Sequence, residues 1–330
     1  MPRPITIFTG QWTDLHFEEV CKIMSEIGYD GLEIASWGDH LDVKKAAMDD
    51  RYVEKKRETL EKYGLKVWAI SVHLAGQLVC SKNTKRYELL APRSVRGEPE
   101  RMRKWAVEEV KNAALAAKRL GASIVTGFTG SSIWEAWYPF PPVDKDYIEE
   151  GFKFFARMWN PILDVFEKNG IKFALEIHPT EIAFDYYTAE KTLKAINYRE
   201  SFGFNLDPSH LVWQGIKPDL FVRDFKDRIF HIHMKDVKMH LDGRTGILCS
   251  HLPFGDYKRG WNFVSLGHGD VDFEALIRAL NDINYQGPLS VEWEDTGIDR
   301  IFAAREALKF VKKIDFPKSQ KVFDESMRRE

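Results

Sequence analysis

Ionisable residues stand at the ends of apolar, β-branched runs, where a strand bound for a core should stay apolar. IKFALEI contains Glu176 and is followed at once by His178; SFGFNL leads into Asp207, with His210 three residues on. RIFHIHM carries His231 and His233, and GPLSVEW carries Glu292 and is followed by Glu294. Two earlier runs, GLEIA and KVWAISV, bring Glu33 and His73. Side chains alternate along a strand, so Glu176 and His178 share one side, as do His231 and His233. Any one of these residues alone is an ordinary hydrogen-bonded loop anchor. Four consecutive runs offering Glu, Asp, His and Glu at the same end need a stronger reason. Unpaired, the carboxylates would repel one another where water is scarce, and a cation relieves that repulsion. Three oxygen donors with one imidazole suit a hard or borderline divalent ion rather than a thiolate-seeking one. Mn²⁺ leads that choice, with Mg²⁺, Co²⁺ or Zn²⁺ as alternatives.

The elements that must position these groups alternate along the chain. Candidate strands cover residues 5–9, 31–35, 66–72, 122–128, 171–177, 201–206, 228–234 and 287–293. Helical patterns fill the intervals. Residues 14–27 place Phe17, Val20, Ile23, Met24 and Ile27 on one stripe, and 100–120, 147–169, 272–283 and 299–314 continue the series. Gly28, Gly64, Gly121 and Gly170 stand where helices should end in a left-handed cap. Eight strand–helix repeats predict an α/β fold, a closed (β/α)8 TIM barrel over one domain, 1–330. A doubly wound sheet would announce itself by a Gly-rich first turn, whereas the turn here reads TGQWTD. The excess over a typical barrel of about 250 residues falls in connections 73–98, 129–146 and 235–270 and in a tail, 316–330. Each long connection follows a strand, at the mouth where barrel enzymes keep their sites.

Composition narrows the classes. The 330 residues include 48 Lys+Arg against 50 Asp+Glu, a formal charge of -2, so no electrostatic drive toward nucleic acid or an anionic membrane is expected. No apolar run nears the roughly 18 residues of a membrane span, and no signal-peptide pattern opens the chain. Three scattered cysteines, Cys21, Cys80 and Cys249, fit a reducing, cytoplasmic setting. Trp12, Trp37, Trp134, Trp137, Trp213 and Trp261 fall just beyond strands, where indole faces can stack on a sugar or an aromatic aglycone. Trp68, Trp105 and Trp159 are assigned to the core.

ALEIHP, NLDPSHLVWQG, HIHMKD and SVEWED together resemble the sugar phosphate isomerase/epimerase family with a xylose isomerase-like barrel. The resemblance spans nearly the whole chain and is more specific for fold and metal than for substrate. It implies metal ligands at Glu176, Asp207, His233 and Glu292, leaving His231 as a packed core histidine. His210 becomes a substrate or outer-layer contact, and His73, Trp37, Trp134, Trp213 and His251 become substrate-side candidates. Met239 stands where some ketose epimerases carry Arg, which directs attention to Arg244. No Gly-rich phosphate cradle accompanies these motifs. The chemistry implied is proton abstraction next to a metal-held carbonyl of a keto-sugar, with Glu176 and Glu292 as bases on opposite faces for isomerisation or epimerisation. A narrower similarity, to the α subunits of C-glycoside deglycosidases, makes His178 the base of an elimination on 3-keto-glycosides. A DNA-repair endonuclease of related fold is the rival from another class, disfavoured by the charge balance. The partners expected are a small sugar or glycoside, with room for a second copy or a small partner subunit, and neither nucleic acid nor membrane.

Overall fold

The computed structural model describes residues 2–321 and 323–327. Residue 322 and residues 328–330 of the expected tail lie outside the described residues. Eight parallel strands close into a barrel: β1 (Ile5–Phe8), β2 (Gly31–Ala35), β3 (Lys66–Ser71), β4 (Ile124–Gly127), β5 (Lys172–Glu176), β6 (Phe202–Leu206), β7 (Ile229–Met234) and β10 (Leu289–Val291). The order around the barrel is β1-β10-β7-β6-β5-β4-β3-β2. Between β7 and β10 lies an antiparallel hairpin, β8 (Asp236–Met239) with β9 (Trp261–Val264), inside the segment expected to be a long connection. Helices Phe17–Ile27, Pro99–Leu120, Lys145–Asn169, Phe273–Asp282 and Arg300–Ile314 fall where the apolar stripes placed them. Gly28 and Gly170 end two of them at φ of 101° and 68°, values that side chains with a Cβ rarely adopt.

Two details of the wall aim side chains at the mouth. The β2–β3 register shifts between Leu32 and Glu33, and the β6–β7 register shifts between Phe204 and Asn205. Such irregularities turn the next side chains relative to a regular ladder. The connection after β3 also begins with a helix, His73–Cys80, rather than open loop. Gly76 lets that helix lie on the chain after β4, because a Cβ there would sit 2.0 Å from the Phe128 carbonyl oxygen. Trp12, expected at the mouth, is fully buried in a 3-10 turn (Thr9–Trp12), with the Arg300 guanidinium 4.9 Å over its ring. Trp68 and Trp105 are half-buried rather than core residues, whereas Trp159 packs at 4.4 Å on Phe173 with no exposure.

The barrel is clasped where its first strand meets its last helix. Arg3 Nε donates to the Tyr285 carbonyl at 2.9 Å, its Nη2 to Asn281 Oδ1 at 2.6 Å, and its Nη1 to Asp315. The ion pair is nearly dry, at 7% and 4% side-chain exposure. Removing one member of a buried pair leaves the other uncompensated. Arg3→Ala should therefore lower unfolding stability by about 3–5 kcal/mol, measured by urea denaturation with the slope unchanged.

Candidate metal centre

The site grows from one carboxylate at mid-wall. Glu33 is fully buried, and its Oε2 accepts from His231 Nε2 at 2.9 Å, His233 Nε2 at 2.9 Å and Ser290 Oγ at 2.8 Å. Its Oε1 accepts from Thr126 Oγ1 at 2.5 Å. Burial alone would raise this carboxyl, but the two histidines outweigh it and hold Glu33 well below the ordinary carboxylate value. An ionised carboxylate only accepts, so His233 must carry a proton on Nε2, and its Nδ1 is the nitrogen turned to the mouth.

Around that nitrogen the expected ligands converge. His233 Nδ1 lies 3.1 Å from Glu176 Oε2 and 3.0 Å from Glu292 Oε2. Glu176, Asp207, His233 and Glu292 each offer one ligand atom, and the four lie within 4.8 Å of one another. All four residues are buried, yet Asp207 Oδ2, His233 Nδ1 and Glu292 Oε2 make no hydrogen bond. Buried polar atoms are rarely left so, and three that face one point fit a divalent cation. Burial opposes charge on His233, but Glu33, Glu292 and Glu176 hold its imidazole well above the ordinary value. Metal must displace that proton, so affinity should rise with pH.

The outer oxygens of the ligands are tied down. Asp207 caps the short helix Pro208–Val212, its Oδ1 accepting from Ser209 N at 2.8 Å and Ser209 Oγ at 2.6 Å. Glu292 Oε1 accepts from Gln11 at 2.8 Å. Glu176 Oε2 accepts from His73 Nε2 at 2.9 Å and from Asn205 at 3.2 Å, while His73 Nδ1 meets Ser71 Oγ at 2.5 Å. Both nitrogens of His73 are thus engaged within the protein. This corrects its assignment to substrate: it orients Glu176.

Lys235 is the residue that sequence reasoning missed. It is 3% exposed, and its Nζ lies 2.8 Å from Glu294, 3.3 Å from Asp207 Oδ2, 3.5 Å from Glu292 Oε2 and 4.1 Å over the Phe263 ring. Burial opposes the charge, but Glu292, Glu294 and Asp207 prevail and hold the ammonium well above its usual range. The signal was present in HIHMKD: 231, 233 and 235 share one side of an extended chain.

His178 and His210 meet edge-to-face at 4.2 Å beside Glu176. His178 Nδ1 faces the Pro179 carbonyl, which only accepts, so Nδ1 carries the proton and Nε2 keeps a free lone pair. Burial pushes this imidazole down to about 3, so it is neutral near pH 7. His210 is different: burial opposes its charge, but Asp207 brings it up to about 9.

Aromatic residues line the approach. Trp37 lies edge-on to Phe8 at 5.9 Å, and Phe8 stacks on His233 at 5.4 Å. Trp134 meets Phe184 at 5.2 Å, and Trp213 stacks on Trp261 at 4.8 Å and 8°. The hairpin joins the site through Phe263, 5.3 Å from both His210 and Trp261. Arg244 and His251, expected to touch substrate, are instead exposed in the segment linking β8 to β9. Asp242 caps the Arg244 turn at 2.8 Å, and a separate turn, Cys249–His251, carries His251. They are not among the groups gathered at the ligands.

Residues 21–314 match the xylose isomerase-like TIM barrel family. The chain belongs to that family. YfiH of Bacillus subtilis (strain 168) is 25% identical over 308 residues, 88% of this chain and 92% of its own. Inosose dehydratase of Clostridium perfringens (strain ATCC 13124) is 28% identical over 174 residues, which cover 52% of this chain and only 57% of the dehydratase. Among solved structures, the probable 3-DHS dehydratase AsbF of Bacillus anthracis superposes with a TM-score of 0.67 at 16% identity, covering 94% of this chain and 98% of AsbF. A D-psicose 3-epimerase crystallised in the presence of D-fructose shares the fold, with a TM-score of 0.63 at 15% identity over 94% of this chain and 99% of its own. No helix among the described residues is long and apolar enough to cross a membrane.

Partners that orient metal-ligating histidines typically govern affinity by about 10–100-fold. Glu33→Gln should weaken Mn²⁺ or Zn²⁺ binding by that order while the protein stays folded, measured by chelator competition with far-ultraviolet circular dichroism alongside. Unchanged affinity would remove Glu33 from the account.

Proposed function

We propose that this protein is a divalent-metal-dependent enzyme that removes the proton α to the carbonyl of a polyhydroxylated ketone, a keto-sugar or keto-cyclitol. The observation that carries this reading is the trio of buried ligand atoms without hydrogen bonds, facing one point beside Glu176. A bound divalent ion supplies Lewis acidity toward a carbonyl oxygen and its neighbouring hydroxyl. Lys235 holds negative charge as it develops on a substrate oxygen, and its ammonium is braced for this by Glu294 and Phe263. Phe8, Phe128 and Phe263 crowd the histidines and limit water at the reacting carbon.

The bases are unequal. Glu176 Oε2 is already committed to two N–H donors, and Glu176 is held well below the ordinary carboxylate value: burial raises it, but His210, His233 and His73 outweigh that. It serves better as a ligand than as a proton acceptor. His178 Nε2 has a free lone pair beside Glu176, and this geometry makes it the proton acceptor, while the burial that holds its ring down at about 3 weakens it as a base. The imidazolium can then return that proton to a β-hydroxyl leaving from the same face as water. Elimination is therefore the ending favoured, in keeping with the dehydratase among the relatives. A second reading, epimerisation or isomerisation, rests on Glu292 Oε2, which is also without a hydrogen bond and would act from another face.

A general base of this kind contributes about 10²–10⁴-fold. His178→Ala should lower kcat by that order with the first metal equivalent retained, and proton NMR should show an unsaturated product from the wild type. Glu292→Gln should act mainly through metal loss. If Glu292→Gln keeps its metal yet abolishes solvent deuterium exchange while His178→Ala exchanges normally, the two-face reading replaces elimination. If neither exchange nor product appears with any keto-sugar, keto-cyclitol or 3-keto-glycoside, proton abstraction is the wrong chemistry.

A further inference from the structure

A buried carboxylate with no cation beside it holds the turn that carries His178. His178 N donates to the Ala183 carbonyl at 3.4 Å and Glu181 N to the His178 carbonyl at 3.1 Å, so residues 178–183 close on themselves. Inside the turn Thr180 stands at φ 83°, a conformation that a β-branched residue keeps only where its surroundings impose it. Glu181 ties this turn to the rest of the mouth. It is 1% exposed, and its Oε2 accepts from the backbone N–H groups of Thr129 and Gly130, both at 2.6 Å. Those two residues follow Phe128, whose ring lies 4.6 Å from the His178 imidazole. Gly130 packs against the helix His73–Cys80, where a Cβ would stand 2.2 Å from the Gln77 carbonyl oxygen. Thr180 Oγ1 lies 3.2 Å from both Glu181 Oε1 and Gln77 Oε1. A glutamine would accept the same two N–H groups without burying charge, so the charge itself needs a use.

We propose that Glu181 is a positioning residue whose ionised carboxylate pins the strained His178 turn to the loop after β4 and so keeps His178 Nε2 aimed at the substrate carbon. This role presupposes His178 as the base, as argued above. Hydrogen bonds to a charged oxygen are roughly twice as strong as those to a neutral one, so losing the charge loosens the clamp without removing it. No neighbouring element supplies a counter-charge. On the helix His73–Cys80, Cys80 stays a protonated thiol through burial, and His73 is engaged by Ser71 and Glu176. Arg103 of the helix Pro99–Leu120 turns its guanidinium to the Val79 and Ser81 carbonyls. Within the turn, burial keeps His178 neutral. Burial therefore pushes the Glu181 carboxyl up to about 7, against the pull of the two N–H groups. Its charge is lost as pH falls through that value, and the clamp weakens with it. The stability that a raised carboxyl contributes runs the other way: it is present below the unfolded value and lost as pH rises through about 7. Glu181→Gln, which resembles the protonated form, therefore folds as well as the wild type on the alkaline side.

Full-length protein labelled with ¹⁵N-histidine and loaded with diamagnetic Mg²⁺ is followed by NMR between about pH 6 and about pH 8, without substrate, with His178→Ala giving the assignment. The His178 ring signals should move with a midpoint of about 7 in the wild type, whereas Glu181→Gln should keep the acid-side position throughout. On a ketone that the wild type turns over, Glu181→Gln should lower kcat about tenfold on the alkaline side, with KM and metal content unchanged. Thr180→Gly adopts the same φ without strain, so it should lose less kcat than the wild type on acidification and should restore activity to Glu181→Gln. Identical His178 signals in the wild type and Glu181→Gln on the alkaline side, or equal kcat, overturns the proposal. The spectra need no substrate, so the reaction class can fail while the clamp stands.

Discussion

The structure depends on an ionised carboxylate held inside a barrel wall. Glu33 takes hydrogen bonds from β4, β7 and β10 while sitting on β2, so one side chain links four strands across the interior. An unpaired charge in that place would be prohibitive, and four donors make it tolerable. The same arrangement decides the tautomer of His233 and so which nitrogen reaches the mouth. Stability and chemistry are coupled at this residue, because the network that satisfies the buried charge also orients the imidazole.

Above Glu33 the candidate ligands Asp207 and Glu292 follow one plan, in which one oxygen is hydrogen-bonded to the protein and the other makes no hydrogen bond and faces Lys235. Asp207 spends Oδ1 on the Pro208–Val212 helix and presents Oδ2; Glu292 spends Oε1 on Gln11 and presents Oε2. Glu176 departs from this, because Oε2 accepts two N–H groups and still faces His233. That asymmetry separates the carboxylates by role. Lys235 stands as the fixed counter-charge, tied to the hairpin by Phe263 and to the β10 loop by Glu294.

Much of the fold was legible because its cause is local. Eight apolar runs with helical stripes between them leave few architectures, and all eight runs form barrel strands with ends shifted by a residue or two. The convergence of the candidate ligands was legible because Glu176, Asp207, His233 and Glu292 break the apolar rule at the same end of neighbouring strands. What was not legible depends on contacts distant in sequence. His73 lies in the mouth, but only the fold shows that Glu176 consumes its Nε2. Arg244 and His251 occupy the right connection, yet the β8–β9 pairing carries them outward. Trp12 follows a strand like the other mouth tryptophans, but its turn folds it under Arg300. Lys235 was hidden by its type, since lysine is rarely buried without partners and its three carboxylates come from two other strand ends.

The central claim is that the buried atoms without hydrogen bonds around His233 Nδ1 are one divalent-metal centre. Anomalous X-ray scattering from crystals grown with Zn²⁺ or Mn²⁺, collected on both sides of the metal edge, tests it most directly. The account predicts a peak bonded to Glu176, Asp207, His233 and Glu292, at about 2.0–2.2 Å for zinc, with Glu33 still on His233 Nε2. Crystals that diffract well but show no ion there, or an ion bound elsewhere while these four side chains keep their places, would contradict it.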